Sequence, residues 1–288
     1  MAALLLAPVV EFAFMQRALL GALLLSLSAC PVGVFLMLRR MSLTGDAMSH
    51  AILPGAAAGY LLYGLEIVPM TLGGLIAGAL VAVGAGAVAR LTVQKEDASM
   101  AAFYLISLAI GVVMVSLRGS SVDLMHVLFG TVLALNDAAL VLIALVAGVT
   151  LTMLAVFWRA LVAECLDPLF LRSVSRLGTP AHFIFLGLVV INLVAGFQAL
   201  GTLLSVGLMV LPAAAARFWV NDVMGMSALA VAIGIVSSVS GLLLSYHASL
   251  PSGPAIILSA GVVYILSVLL GRRGVIATNL PRRKHRTA

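Results

Sequence analysis

Charged residues are scarce in this chain. Only 9% of its 288 residues are Asp, Glu, Lys or Arg, whereas 63% are hydrophobic and the mean hydropathy is +1.23. A soluble domain carries about a quarter charged residues because its surface faces water. The composition therefore excludes a soluble globular fold. It predicts an all-α, polytopic membrane protein that forms one transmembrane domain over residues 1–288.

Lysine and cysteine are also rare, and their positions exclude other classes of function. The two lysines, Lys95 and Lys284, do not follow the glycine-rich spacing of a P-loop, so the chain is not expected to hydrolyse ATP. Cys30 and Cys165 lie on different segments, which supports neither a disulfide nor a thiolate metal site. The strings His-Glu-x-x-His and Gly-x-Ser-x-Gly are absent. We expect no enzymatic activity and no permanently bound cofactor.

Long apolar runs fill most of the chain. A membrane span needs about 20 mostly apolar residues, and nine stretches approach that length: 12–38, 46–63, 68–92, 98–117, 136–157, 181–198, 201–220, 223–245 and 253–271. Residues 181–220, with Gly196 and Gly201 at their middle, are also compatible with a tight hairpin, and the choice between eight and nine spans stays open. Residues 120–135, which include His126, are too short to cross the membrane and return, so they predict a re-entrant half-helix.

The basic residues lie at the ends of these runs. The net charge of +6 therefore indicates topology rather than binding of nucleic acid. With the first span running inward, fourteen of the sixteen Lys and Arg residues fall on the inner side, and only Arg17 and Arg118 fall outside. Because basic residues accumulate on the cytoplasmic side, the N-terminus is predicted outside. The basic tail, residues 272–288, is predicted in the cytoplasm.

The longest polar interval lies on the predicted cytoplasmic side, around residues 162–179. Asp167 followed by Pro168 indicates a helix start, and Gly178 followed by Pro180 indicates a helix end. Two interpretations of this short helix stay open. It rests on the bilayer surface as an amphipathic helix, or it docks a cytoplasmic partner.

Asp46 stands out among the acids, although it begins the second predicted span. It precedes His50 by four residues, so on a helix the two side chains share one face. A carboxylate and an imidazole so placed can bind one divalent cation. Alternatively, Asp46 caps the second span and His50 only bonds a neighbouring helix. Pro54 and Gly55 are predicted to break this helix, as in segments that line ion pathways.

Three other histidines have plain structural interpretations. His247 ends the eighth span on the outer side, where an exposed loop histidine is the simpler interpretation, although it is a further candidate ligand. His126 is equally ambiguous. His182 opens a span on the cytoplasmic side, where an interfacial position accounts for it.

Residues 45–55 read Gly-Asp-Ala-Met-Ser-His-Ala-Ile-Leu-Pro-Gly. This segment resembles the hallmark of permease subunits in ATP-binding-cassette (ABC) importers for zinc, manganese and iron. Residues 166–178, 201–214 and 241–253 agree with the same family in the same order, so the resemblance covers nearly the whole chain.

The resemblance implies a permease of the bacterial cytoplasmic membrane that acts with a cytoplasmic ATPase, an extracytoplasmic metal-binding protein and a second permease copy. Asp46 and His50 would bind the transported ion, with zinc favoured by the imidazole and manganese or iron as the other candidates. The segment after Asp167 would couple to the ATPase through the residues Asp167, Pro168, Arg172, Arg176 and Gly178. The rival hypotheses are a stand-alone secondary transporter or channel and a non-transporting membrane scaffold.

Overall fold

The computed structural model describes residues 12–64, 66–117, 135–167, 171, 173, 175 and 178–279, and these residues form helices without a strand. The predicted all-α architecture is confirmed. The helices, numbered in chain order, are α1 (Ala13–Leu38), α2 (Ser42–Tyr63), α3 (Ile67–Leu91), α4 (Glu96–Leu117), α5 (Asp137–Leu166), α6 (Gly178–Leu200), α7 (Thr202–Ala216), α8 (Val223–Ala248), α9 (Ser252–Leu270) and α10 (Val275–Asn279).

Each of the nine predicted spans overlaps one of the helices α1 to α9. Seven helices in the described ranges are long and apolar enough to cross a membrane, namely α1, α3, α4, α5, α6, α8 and α9. Helix α7 has 15 residues, so it is only about 22 Å long against a hydrocarbon core of about 30 Å. Helix α2 carries Thr44, Asp46, Ser49 and His50 in its first half, which lowers its hydropathy.

Helices α1 and α6 form the centre of the bundle. In each of them 72% of the most apolar window is buried, whereas in α4 only 17% is buried. The large apolar side chains of α3, α4, α5 and α9 are mostly exposed. In a membrane protein such faces meet lipid or another protein chain, because helix association in lipid relies on close packing rather than on exclusion of water.

Helix α1 runs the full height of the bundle and defines its two ends. Its 26 residues span about 39 Å. At the Phe12 end, the ring of Phe12 lies 5.9 Å from the ring of Tyr246, and Arg17 Nε lies 3.1 Å from Asp137 Oδ1. At the other end, which we call the Arg39 end, α1 turns into α2 and α5 ends. Successive helices then run in alternating directions between the two ends.

The helix boundaries on both sides of the coupling segment differ from the sequence prediction. Helix α5 ends at Leu166, nine residues later than predicted, because its backbone continues as a helix through the polar residues Arg159 and Glu164. Gly178 begins α6 instead of ending a preceding helix, and Pro180 fits there because the first turn does not need its missing N–H. The helix stop predicted at Gly178 is therefore wrong.

Some predictions lie outside the described residues. They concern most of the re-entrant half-helix with His126, the coupling residues Pro168, Arg172 and Arg176, and the basic tail beyond residue 279.

Candidate metal-binding site

Asp46 and His50 lie one helical turn apart on α2, as the four-residue spacing predicts. Asp46 Oδ1 is 3.9 Å from His50 Nε2. Two ligands bonded to one transition-metal ion at about 2.1 Å lie roughly 3 to 3.5 Å apart. A small side-chain rotation therefore brings this pair into range to share a cation. The Asp46 side chain is 68% exposed and that of His50 32% exposed within the protomer.

The start of α2 bears on the alternative that Asp46 is only a helix cap. The helix begins at Ser42 with Met41 at the N-cap position, so Asp46 lies in its second turn and cannot cap it. The Ser49 hydroxyl donates to the Asp46 backbone carbonyl oxygen at 2.7 Å, which is a bond within the helix. The Asp46 carboxylate is therefore not engaged in capping.

The helix break predicted at Pro54 and Gly55 is wrong. Helix α2 continues through both residues to Tyr63. Proline removes one backbone donor and kinks many soluble helices, but helices in membranes tolerate it when neighbouring helices satisfy nearby groups. Here the Ser107 hydroxyl of α4 donates to the Ala51 carbonyl oxygen at 2.9 Å, one turn before the proline.

Pro54 and Gly55 instead let α2 pack closely against its neighbours. A Cβ atom added to Gly111 of α4 would lie 3.0 Å from Pro54 Cγ. One added to Gly55 would lie 1.9 Å from the carbonyl oxygen of Gly73 on α3, and one added to Gly73 would lie 2.1 Å from that of Gly55. The backbones of α2 and α3 thus touch at these glycines, an arrangement typical of small residues in membrane helices.

The ligand set found among the described residues is small. The described residues contain no group of three or more His, Cys, Asp and Glu side chains placed to hold a metal. Tyr104 of α4 is the aromatic neighbour of His50, with ring centroids 6.4 Å apart. Cys30 and Cys165 are free thiols. One carboxylate and one imidazole occupy only two of the coordination positions of a divalent cation.

His247 is not brought to this pair. It lies at the end of α8 and follows Tyr246, whose ring contacts Phe12 at the Phe12 end. Asp46 and His50 lie about 6 and 12 Å along α2 from its start at the Arg39 end. His247 is exposed, and its Nδ1 lies 2.9 Å from the Leu243 carbonyl oxygen. Within one protomer, His247 and the Asp46–His50 pair occupy different ends of the bundle.

The coupling segment begins at the Arg39 end. Asp167 is the C-terminal cap of α5, and its carbonyl oxygen accepts from the Leu171 N–H at 3.2 Å. The Ser175 N–H donates to the Leu171 carbonyl oxygen at 2.9 Å. Both bonds have helical spacing, in keeping with a helix start at Asp167.

A buried polar cluster at the same end escaped the sequence analysis. Arg39 Nη2 lies 3.7 Å from Glu164 Oε1 and 2.6 Å from His182 Nδ1. Glu164 and His182 are 1% and 3% exposed, although sequence position indicated a boundary acid and an interfacial histidine. The sequence positions of Arg39, before the second span, and Glu164, near the end of α5, do not indicate that the two side chains lie close together.

Comparison with known proteins agrees with the hallmark and the fold. Residues 11–271 match the ABC 3 transport family. The chain belongs to that family. It is 30% identical over 260 residues to a manganese import system permease protein of Streptococcus parasanguinis, covering 90% of this chain and 91% of that one. It is also 30% identical over 258 residues to a probable iron transport system membrane protein of Haemophilus influenzae, covering 90% and 94%.

A solved structure supports the same assignment to the ABC 3 transport family. The structure of PsaBC from Streptococcus pneumoniae in complex with Fab matches with a TM-score of 0.82 and 30% identity over 95% of this chain and 97% of that one. The described residues include seven helices apolar and long enough to cross a membrane, and this ABC 3 family member is a multi-pass protein of the bacterial cytoplasmic membrane.

Proposed function

We propose that this chain is the permease subunit of an ABC importer for Mn²⁺, and that Asp46 and His50 bind the ion in transit. The observation that carries the proposal is the pairing of a carboxylate with an imidazole, 3.9 Å apart, in a bundle of apolar helices. A charged residue within a membrane costs roughly 2.5 to 3.5 kcal/mol on insertion scales, so its presence usually has a functional reason.

Manganese is the first candidate for the transported ion. The Streptococcus parasanguinis relative is named for manganese and the Haemophilus influenzae relative for iron. The zinc preference expected from the imidazole alone has no support in either name. Carboxylate and water ligands suit Mn²⁺, while imidazole also suits Fe²⁺ and Zn²⁺. The pair is therefore chemically open to all three, and transport must be measured for each.

A second permease copy is proposed to face the Asp46 side of α2. Leu43, Asp46 and His50 lie at i, i+3 and i+7 and form one stripe on this helix. Leu43 is 81% exposed, and the Asp46 side chain is 68% exposed. A carboxylate facing hydrocarbon would be costly. A homodimer that encloses this stripe around a hydrated pathway removes that cost and can supply the missing ligands.

Transport is proposed to proceed by alternating access, driven by a separate ATPase dimer. The binding protein would deliver the ion at the Phe12 end, which the basic residues predict to be extracytoplasmic. Asp46 and His50 would replace part of its hydration shell, and ATP-driven movement of the segment that starts at Asp167 would open the Arg39 end to the cytoplasm. A stand-alone secondary transporter or channel is the rival hypothesis.

The test is uptake of Mn²⁺, Fe²⁺ and Zn²⁺ into proteoliposomes that contain the permease with its ATPase and its binding protein. We expect ATP-dependent Mn²⁺ uptake, and none with the permease alone. The substitutions Asp46→Asn and His50→Gln should each reduce uptake at low Mn²⁺ by about tenfold or more, because a ligand contributing about 1.4 kcal/mol already changes affinity tenfold.

Two matched variants serve as controls. Glu66→Gln removes an exposed carboxylate outside the pair, and His247→Gln removes an imidazole at the opposite end of the protomer. Both should transport like the unmodified permease. Normal uptake by Asp46→Asn and His50→Gln would refute the metal site, whereas metal uptake by the permease alone would favour the rival hypothesis. Loss of uptake in His247→Gln would make that residue part of the pathway.

A further inference from the structure

The buried cluster at the Arg39 end joins three helices through one arginine. Arg39 follows the last residue of α1, Glu164 is in the last turn of α5, and His182 is in the second turn of α6. The side chains of Arg39 and Glu164 are 8% and 1% exposed. The Arg39 guanidinium also lies 4.8 Å from the centre of the Phe185 ring on α6. One side chain therefore holds both α5 and α6 to the end of α1.

The chemistry of the cluster fixes the direction of the bond between Arg39 and His182. Arginine is only a donor, so at 2.6 Å the Nδ1 atom of His182 must accept from Arg39. Arg39 therefore donates to His182 and carries the charge opposite to that of the Glu164 carboxylate.

The two partners of Arg39 flank the coupling segment. Glu164 lies three residues before Asp167, where the segment begins, and His182 lies four residues after Gly178, where α6 begins. A displacement of the segment must therefore pass through the last turn of α5 or the first turns of α6. Arg39 contacts a side chain from each of these places.

On its other side, Arg39 connects directly to the helix with the metal ligands. The turn from α1 to α2 contains only Arg39, Arg40 and Met41. It is held by bonds from the Arg39 N–H to the Phe35 carbonyl oxygen and from the Met41 N–H to the Leu36 carbonyl oxygen, each 3.0 Å. Arg40 has φ of 59° in the left-handed region, and Met41 is 4% exposed. Because this turn is short and hydrogen-bonded, a movement of Arg39 also moves the start of α2.

A second route between the coupling segment and α2 runs through α6. Helix α2 makes no extensive contact with α5 in the described part of the chain, but besides α3 and α4 it packs on α6, and Arg39 contacts α6 at His182. Stability alone also gives little reason for the cluster, because apolar side chains of similar volume often replace a buried ion pair without loss of stability.

We infer that Arg39, Glu164 and His182 are positioning residues that couple movement of the segment after Asp167 to the Asp46–His50 helix. This inference rests on the proposed import function. The cluster then sets the number of metal ions imported for each ATP hydrolysed, although it contacts neither the metal nor the ATPase.

The test measures the ratio of Mn²⁺ imported to ATP hydrolysed in the same proteoliposomes. The double variant Arg39→Leu/Glu164→Leu replaces the ion pair with apolar side chains. We expect it to assemble with the ATPase and to hydrolyse ATP, while the ratio falls at least about fivefold, the lower range of typical coupling energies. The charge exchange Arg39→Glu/Glu164→Arg should restore part of the ratio.

The ion pair at the opposite end provides the matched control. Arg17 and Asp137 also join α1 to α5, but at the Phe12 end and with side chains 44% and 79% exposed. The variant Arg17→Leu/Asp137→Leu should keep the unmodified ratio. If the Arg39–Glu164 double variant also keeps it, or loses uptake and ATP hydrolysis in equal proportion, the inference is wrong.

A second variant keeps the test informative if the leucine pair prevents folding. Glu164→Gln preserves size and removes only the charge, and it should lower the ratio in the same direction. An unchanged ratio in a folded Glu164→Gln complex would contradict the inference. Failure of the proposed function has a different signature, because the unmodified complex would then show no ATP-dependent Mn²⁺ uptake at all.

Discussion

At the scale of single residues, the sequence identified Asp46 and His50 through spacing and through the oddity of an acid within an apolar stretch. Both properties are local, so one sequence is enough to see them. Arg39 and Glu164 are as unusual in the structure, with the glutamate 1% exposed, but they are 125 positions apart in the sequence. Their meeting depends on how α1 and α5 pack, which neither hydropathy nor spacing encodes.

The two ion pairs between α1 and α5 should differ greatly in their effect on stability. Arg39→Ala would leave Glu164 as a buried charge without its arginine, and breaking such a pair costs about 3 to 5 kcal/mol. Arg17→Ala breaks an exposed pair worth about 0 to 1 kcal/mol. Thermal unfolding of both variants in detergent checks this, and equal melting temperatures would contradict the buried character of the cluster.

At the scale of helices, a cap residue before an apolar run marks two of the helix starts that the sequence predicted closely. Helix α5 follows Asn136, whose side chain accepts from the Ala139 N–H at 2.8 Å, and α8 follows Asp222, whose side chain accepts from the Gly225 N–H at 2.6 Å. Both starts agree with the predicted spans within one residue.

The sequence was least accurate where polar residues continue a helix beyond its apolar part. Helix α2 begins four residues before the predicted span, and α5 ends nine residues after it. Hydropathy indicates which residues partition into lipid, whereas helix formation depends on backbone hydrogen bonds, which polar residues also form. The helix break predicted at Pro54 was wrong for a related reason, because α2 tolerates this proline through its contacts with α4.

Close packing of α2 on α3 should be sensitive to a single methyl group. Gly55→Ala would place a Cβ atom 1.9 Å from the Gly73 carbonyl oxygen, so the helices must separate. Overpacking of this kind costs about 1 to 3 kcal/mol. Gly148→Ala on α5 is the matched control, because its Cβ atom would meet nothing within 4 Å. Melting temperatures should fall for the first variant and hold for the second.

At the scale of the whole molecule, the charge distribution predicts orientation and the structure supplies the two ends. Arg39, Arg40, Lys95, Arg159, Arg217, Arg272 and Arg273 all belong to the Arg39 end by the alternation of the helices, while Arg17 belongs to the Phe12 end. The bundle is thus strongly asymmetric in basic residues. Which end faces the cytoplasm remains a prediction from this asymmetry.

Orientation can be tested with single cysteines in a background without Cys30 and Cys165. A membrane-impermeant maleimide should label Leu250→Cys in intact spheroplasts, because Leu250 is exposed between α8 and α9 at the Phe12 end. Lys95→Cys, between α3 and α4 at the Arg39 end, should react only after permeabilisation. The reverse labelling pattern would invert the proposed direction of transport relative to the bundle.

The contact between Gly55 and Gly73 also has a consequence for the surrounding bilayer. Because the two backbones touch, α2 cannot swing without carrying α3, whose outer face exposes Leu72, Ile76 and Leu80 and is expected to face lipid. Opening the pathway then requires acyl chains to rearrange along that face. The turnover of the transporter should consequently vary with the thickness and acyl-chain order of the membrane. Lipid composition is therefore expected to change the transport rate.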